Sequence, residues 1–185
     1  MLTGRRVVLR EPVQQDLAAL LEILSMSDAG SFGLDEPVTE FAAQTLIDRA
    51  AQERAAGVSL TYAVSAVATG GVIGLFYVRQ LDPGFEAAEW ECAFAPLSRG
   101  TGAFIESARL VGSFLFGTIG AHRIEARVPV QNGRGNGAMR KLGAVQEGLL
   151  RRAARRGDLY VDQVLWSLLK DDWGDHWVTT AARVH

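Results

Sequence analysis

The chain has 185 residues, 48% hydrophobic and 22% charged, with a formal net charge of −2; that fits one globular domain, or at most two small ones, with a real core, and gives no indication of disorder. So small a net charge gives no whole-molecule steering toward nucleic acid or an anionic membrane, although a local patch can still attract an anion. The single cysteine, Cys92, excludes an internal disulfide, and no Cys/His cluster has metal-ligand spacing.

The opening "MLTGRRVVLREPV" holds no apolar run of signal-peptide length, and no later segment approaches the ~20 apolar residues of a membrane span, so the expectation is a soluble cytoplasmic protein. "RVVLR" (6–10) is β-branched and predicts a strand. "LAALLEIL" (17–24), rich in Ala and Leu, predicts a helix, and "SDAGSFGLDEP" a loop. Thr39 before Glu40 opens a second helix, which closes at Gly57. "SLTYAVSAV", "VIGLFYVRQL" and "EAAEWECAFAP" then follow as three strands linked by the turns "ATGG" and "DPG", an antiparallel meander. A helix over 101–119, the strand "RIEARV" (123–128) and a helix opened by Asn132 and closed at Gly143 come next. "QEGLLRRAAR" and "LYVDQVLWSLL" form a last hairpin around "RRGD". The order β, α, α, β, β, β, α, β, α, β, β shows no repeat and no linker. A strand, helix, strand unit inside an antiparallel order predicts a mixed α/β (α+β) fold with one mostly antiparallel sheet of about seven strands and about four helices. One domain is expected over 1–173, with 174–185 a loosely held tail.

Between the fourth strand and the following helix stands "SRGTGAF". A helix N-terminus carries unpaired N–H groups and about half a positive charge, so it attracts phosphate. Gly100 and Gly102 remove Cβ atoms where a diphosphate would lie, and Arg99 adds a permanent cation. The alternative is a plain strand-to-helix turn that uses Gly for φ > 0. A dinucleotide fingerprint is excluded by Ile105 at its third glycine position, and a Walker loop by Ala103 and Phe104 after the second glycine.

The chain resembles the Gcn5-related N-acetyltransferases, GNAT, in their RimJ/RimL-like branch. "RGTGAF" matches the family's [Q/R]-x-x-G-x-[G/A] loop at Arg99 and Gly102 and departs at Phe104. "AEWECAFAP", "HRIEARVPVQN", "MRKLGAVQEGLLRR" and "GDLYVDQVLWSLLKDDW" resemble further branch segments in collinear order, and "LTGRRVVLREPVQQDLAALLEI" also fits. The resemblance implies a splay between the fourth and fifth strands in which pantetheine lies as a pseudo-strand. It also implies acetyl-CoA as co-substrate without a metal. The backbone of Phe94 and Ala95 would meet the pantetheine amides, and an N–H near Ala93 or Phe94 the thioester carbonyl. Arg99 and the amides of Gly100, Thr101, Gly102, Ala103 and Phe104 would hold the diphosphate, with Asn132 and Lys141 as further cofactor contacts. Asn132 also reads as a simple N-cap.

Transfer to an amine needs a group that takes up a proton, because an alkyl amine has a pKa near ~10. Glu89 and Glu91 lie two apart on one strand and share a face; Glu91, nearer the splay, is the better base. The alternative for both is pairing with Arg79 or solvation of an exposed face. The branch's serine near the thioester sulfur is replaced by Gly135 and a branch carboxylate by Ala154, which leaves Asn136 and Tyr160 as candidates near the leaving thiolate. A strand tyrosine is otherwise a core residue with a tethered hydroxyl. Cys92 is read as core, not as a nucleophile, and "RRAARR" (151–156) as a solvated face with reach toward a phosphate or an acidic acceptor. The expected function is acetyl transfer from acetyl-CoA to a primary amine, a protein N-terminus or a small molecule, by direct attack in a ternary complex. The alternatives are a degenerate acyl-CoA-binding sensor or scaffold, and a nucleotide-binding module unrelated to CoA. No nucleic-acid or membrane partner is expected, and the sequence is compatible with a homodimer.

Overall fold

The structure, a computed structural model, describes residues 1–26 and 38–177; the loop expected at "SDAGSFGLDEP" and the end of the expected tail lie outside the described residues. The elements are β1 (Leu2–Thr3), β2 (Val7–Arg10), α1 (Leu17–Met26), α2 (Glu40–Ala55), β3 (Ser59–Ala66), β4 (Val72–Gln80), β5 (Ala87–Phe94), α3 (Ala103–Phe114), β6 (Arg123–Pro129), α4 (Gly133–Lys141), β7 (Val145–Arg156), β8 (Leu159–Leu169) and α5 (Lys170–Trp177). The eight strands form one sheet in the order β1-β2-β3-β4-β5-β6-β8-β7. Every neighbouring pair is antiparallel except β5–β6. The mixed sheet and its single parallel pair are those expected, because the α3 crossover returns the chain in the same direction beside β5.

The differences are local. The extra strand is Leu2–Thr3, too short to show a period of two. Thr39 caps α2 as expected, its hydroxyl accepting the Ala42 amide at 3.1 Å. The third helix is shorter than 101–119: it starts at Ala103, and Leu115–Ile119 winds as a π turn that ends at Gly120, φ 96°. A fifth helix runs through the boundary expected at 173. Trp173 is buried, its ring lies against Gly112, and its Nε1 donates to Ser113 Oγ at 3.3 Å. A Cβ at Gly112 would come within 2.6 Å of that ring, so a larger residue there would lift α5 off α3.

Strand parity separates two layers. Phe76, Val78, Ala88, Trp90, Ile124, Ala126, Val164, Trp166 and Leu168 turn toward α3, α4 and α5 and join Ala108, Val111, Leu115, Met139 and Leu142 in the main core. Leu75, of opposite parity on β4, packs instead with Leu20 and Leu24 of α1 and Ala43 and Ile47 of α2. Glu89 and Glu91 share the parity of Leu75 and so face the α1/α2 side.

One irregularity positions the site. β5 and β6 register only at Ala87–Arg123, Ala88–Ile124 and Glu89–Glu125. Beyond that, β5 stays paired with β4 as far as Phe94–Gly74, and β6 with β8 as far as Pro129–Gln163. The two central strands therefore part at residues 90 and 126, each held from its outer side, and leave a gap lined by main chain.

Candidate active site

The gap opens between two helix starts. α3 begins at the carboxyl end of β5 and α4 at the carboxyl end of β6. On the β5 side, the loop is built by its own hydroxyls. Ser98 donates to the Ala95 carbonyl at 2.7 Å, and Thr101 Oγ1 donates to the Ser98 carbonyl at 2.7 Å while accepting the Ala103 amide at 3.3 Å. Gly102 caps α3 at φ 85°, a left-handed conformation that a Cβ would strain. The first amide to bond within the helix is that of Glu106, to Gly102. The Glu106 carboxylate in turn accepts the main-chain amides of Arg5 and Arg6, which anchors this turn of α3 to the β1–β2 connection.

Among the described residues, the amides of Gly100, Gly102, Phe104 and Ile105 meet no acceptor, whereas those of Thr101 and Ala103 are bonded within the loop. The five consecutive amides expected to face a diphosphate thus reduce to three of those five, joined by Ile105. Nothing stands within 4 Å of where a Cβ would project at Gly100 or Gly102, and Arg99 is exposed beside them. Phe104 does not plug the mouth. Its ring turns inward onto the edge of Phe94, with centroids 5.9 Å apart at 88°. Phe94 in turn occupies the space a Cβ would need at Gly74, at 2.7 Å.

Main-chain direction decides which of the expected residues of β5 face the gap. Leu81 donates to the Ala87 carbonyl at 2.8 Å and Ala95 to the Ile73 carbonyl at 2.9 Å, so odd-numbered residues of β5 bond β4. Antiparallel ladders alternate, so the even-numbered residues turn away from β4: the Trp90 amide makes the last rung, to the Glu125 carbonyl of β6, and the Trp90 carbonyl with the N–H and C=O of Cys92 and Phe94 faces the gap. Ala93 therefore faces β4. Ala95 is committed on both sides, since its carbonyl also takes the Ser98 amide at 2.9 Å. Of the three residues expected here, Phe94 alone opens onto the gap; Trp90 and Cys92 were missed, although parity in the strand signals them.

On the β6 side, Asn132 caps α4, its Oδ1 accepting the Gly135 amide at 2.9 Å. It helps line a recess of about 380 Å³ with Pro129, Gln131, Gly133, Arg134 and Arg156. Gly135 has a steric reason: a Cβ there would stand 2.8 Å from Val128 Cγ1 and 2.9 Å from Asn132 Nδ2. Lys141 is not part of this mouth. α4 runs back along β6, and ~1.5 Å of rise per residue sets its last residue roughly 12 Å from its first.

The catalytic candidates separate. Asn136 is buried and fully used: Nδ2 donates to the carbonyls of Pro129 at 3.0 Å and Asn132 at 2.9 Å, and Oδ1 accepts Trp166 Nε1 at 2.9 Å. It ties α4 to β6 and β8 and has no group left for a thiolate. Tyr160 is 62% exposed on the part of the hairpin beyond Pro129–Gln163, and shares the parity of Trp166, on the sheet face opposite Glu91. Ala154, opposite Val161, brings no carboxylate. Glu89 is buried and bridges Arg79 and Arg127, which was the structural alternative for it. Glu91 is half-buried across from Tyr77, whose hydroxyl is held above its ordinary pKa chiefly by desolvation. Burial, with the Glu91 charge second, pushes the Cys92 thiol up to about 12, which fits a core residue and not a nucleophile.

Bare amides at a helix mouth and an unpaired strand edge suit a ligand that joins an anionic diphosphate to an amide-bearing chain. Residues 6–145 match the acetyltransferase (GNAT) domain. No curated protein matches the chain. Among solved structures, a GNAT-family acetyltransferase from Bacillus anthracis is similar, with a TM-score of 0.79 at 19% identity over 92% of this chain and 99% of that one. Spermidine N-acetyltransferase from Vibrio cholerae, in complex with CoA and spermine, gives 0.78 at 19% over 92% and 99%. Mycobacterium smegmatis RimJ, in complex with CoA-disulfide, gives 0.75 at 20% over 90% and 83%. At these identities the likeness is one of fold, while the matched domain spans most of the chain: this protein belongs to the GNAT family of acetyltransferases.

Proposed function

We propose that the chain transfers an acetyl group from acetyl-CoA to a primary amine, either a peptide N-terminus or a small molecule, by direct attack of the amine in a ternary complex. The observation that carries this reading is the parting of β5 and β6 beside the bare amides of α3. The pantetheine arm would lie along β5 and meet the main-chain groups of Phe94 and Cys92 and the carbonyl of Trp90. The amides of Gly100, Gly102, Phe104 and Ile105, with Arg99, would hold the diphosphate. Nδ2 of Asn132 is the matching donor from the β6 side. The N–H of Phe94 would polarise the thioester carbonyl.

Glu91 is the proposed base. It stands on the α1/α2 side of the sheet, the side from which an acceptor would reach the gap, and would take up the proton that the amine loses as its nitrogen bonds the acyl carbon and the C–S bond breaks. Asn136 is spent on its own partners and Tyr160 lies exposed on the far hairpin, so the proton for the thiolate is assigned to water. The proposal includes a cytoplasmic location; among the described residues no helix is long and apolar enough to cross a membrane.

The replacements at Gly135 and Ala154 favour a second reading, in which the protein binds acyl-CoA without turnover. Calorimetry with CoA, followed by thiol release from acetyl-CoA with peptides bearing free N-termini and with small amines such as spermidine, separates the two. The proposal expects binding and release with at least one amine class. Binding without release from any amine would support the second reading, and absence of binding would remove both.

A further inference from the structure

Glu89 is the last residue of β5 in register with β6, and its carboxylate sits at the point where the gap begins. Its side chain is only 2% exposed, and its two oxygens serve different strands. Oε2 pairs with Arg79, its cross-strand partner on β4. Oε1 pairs with Nε of Arg127 at 3.3 Å, and Arg127 lies on β6 two residues beyond the last registered position. The pairing then continues on the same sheet face. Arg127 approaches Glu125 at 4.0 Å, Glu125 accepts from Arg123 at 2.9 Å, and Arg123 pairs with Glu147 of β7. Charges of alternating sign thus cross β4, β5, β6 and β7 in one row.

Paired strands are held ~4.8 Å apart by their main-chain bonds. The last rung is the Trp90 amide on the Glu125 carbonyl, and past it no main-chain bonds join β5 to β6. The side chain of Arg127, rooted on the diverging strand, reaches back to Glu89 at the fork. A carboxylate this buried is costly unless it is paired, so the bridge persists. It replaces the missing ladder at its first step.

We propose that Glu89 and Arg127 form a strut that sets the width of the gap, and that they are positioning residues for the acyl carrier lying in it. This rests on the reading of the gap as the acyl-CoA cleft. The strut touches neither carrier nor amine and acts through the spacing of Cys92 and Phe94 from β6.

The test measures CoA affinity by calorimetry, together with KM for acetyl-CoA and for the amine, in wild type, R127M, R127K, E89Q and E89Q/R127M. R127M is expected to weaken CoA binding roughly tenfold, a coupling of ordinary size for one network. R127K should recover most of that loss, KM for the amine should move less than about twofold, and the double variant should be no worse than R127M. A strut that served stability alone would lower the melting temperature and leave CoA affinity of the folded protein unchanged; that result in R127M and E89Q overturns the proposal. Wild-type protein that fails to bind CoA overturns the cleft reading and the strut together, whereas binding by wild type with no change in the variants overturns the strut alone.

Discussion

Substitution of Gly102 by Asp tests the helix mouth most directly. The residue has φ 85°, and a Cβ there meets nothing within 4 Å, so the penalty on folding is conformational and not steric. An L-residue in the left-handed region costs about 1–2 kcal/mol, and at 2–4 °C per kcal/mol for a domain of this size the melting temperature should fall by roughly 2–8 °C. Binding should suffer far more. A carboxylate would stand among the amides of Gly102, Phe104 and Ile105 and compete for them with the diphosphate. Loss of two charge-assisted hydrogen bonds at about 1.5–3 kcal/mol each amounts to at least about a hundredfold in Kd at 1.4 kcal/mol per tenfold. Gly102→Ala is the control, with similar backbone strain and no charge, and should lose about tenfold at most. Pantetheine, which lacks the diphosphate, should bind wild type and Gly102→Asp alike. The assay is calorimetry beside a thermal melt. A folded Gly102→Asp protein whose CoA affinity lies within about threefold of wild type would refute the assignment of these amides.

Three further outcomes are expected. Gly135→Ser should not restore a proton donor: its Cβ meets Val128 and Asn132, so it should destabilise by about 1–3 kcal/mol with no gain in kcat, measured by melting and by turnover per folded molecule. Asn136→Ala strands Trp166 Nε1, while the Pro129 and Asn132 carbonyls keep the amides of Asn132 and Asn136, and should cost about 1–3 kcal/mol; kcat per folded molecule should hold, and a selective loss of kcat in stable protein would return Asn136 to the chemistry. The Arg123 pair, with Ser167 second, lowers the Glu147 carboxyl from 4.5 to about 2, so the bridge stabilises above 4.5 and that contribution fades as pH falls toward 2. Glu147 is partly exposed, so the effect is small; Glu147→Gln should flatten the melting temperature against pH in that window, and an unchanged slope would count against the bridge.

The element order, the parallel pair produced by the middle strand–helix–strand unit, and the anion-ready turn at Arg99 to Gly102 were all legible along the chain, because each depends on local periodicity, on turn residues or on the handedness of a short connection. The α2 cap at Thr39 and the α4 cap at Asn132 belong with them. Phe104 was legible as a departure from the family pattern, but its remedy was not: only packing shows the ring turned onto Phe94 above Gly74.

Distances between strands were decided by the tertiary structure. Which residues of β5 face the gap depends on which ones β4 claims, so Ala93 and Ala95 fell out and Trp90 and Cys92 came in. Asn136 and Tyr160 were chosen for their chemistry, but a buried amide spends that chemistry on whatever carbonyls surround it, and a hairpin residue lies on the face its parity dictates. The bridge from Glu89 to Arg127 joins positions 38 apart in sequence, and only the divergence of two strands puts a guanidinium across the fork. Chain order alone could therefore show a glycine turn at a helix start, whose bare amides suit an anionic ligand. The opening into which that ligand would fit is set by side chains that meet only when the sheet is assembled.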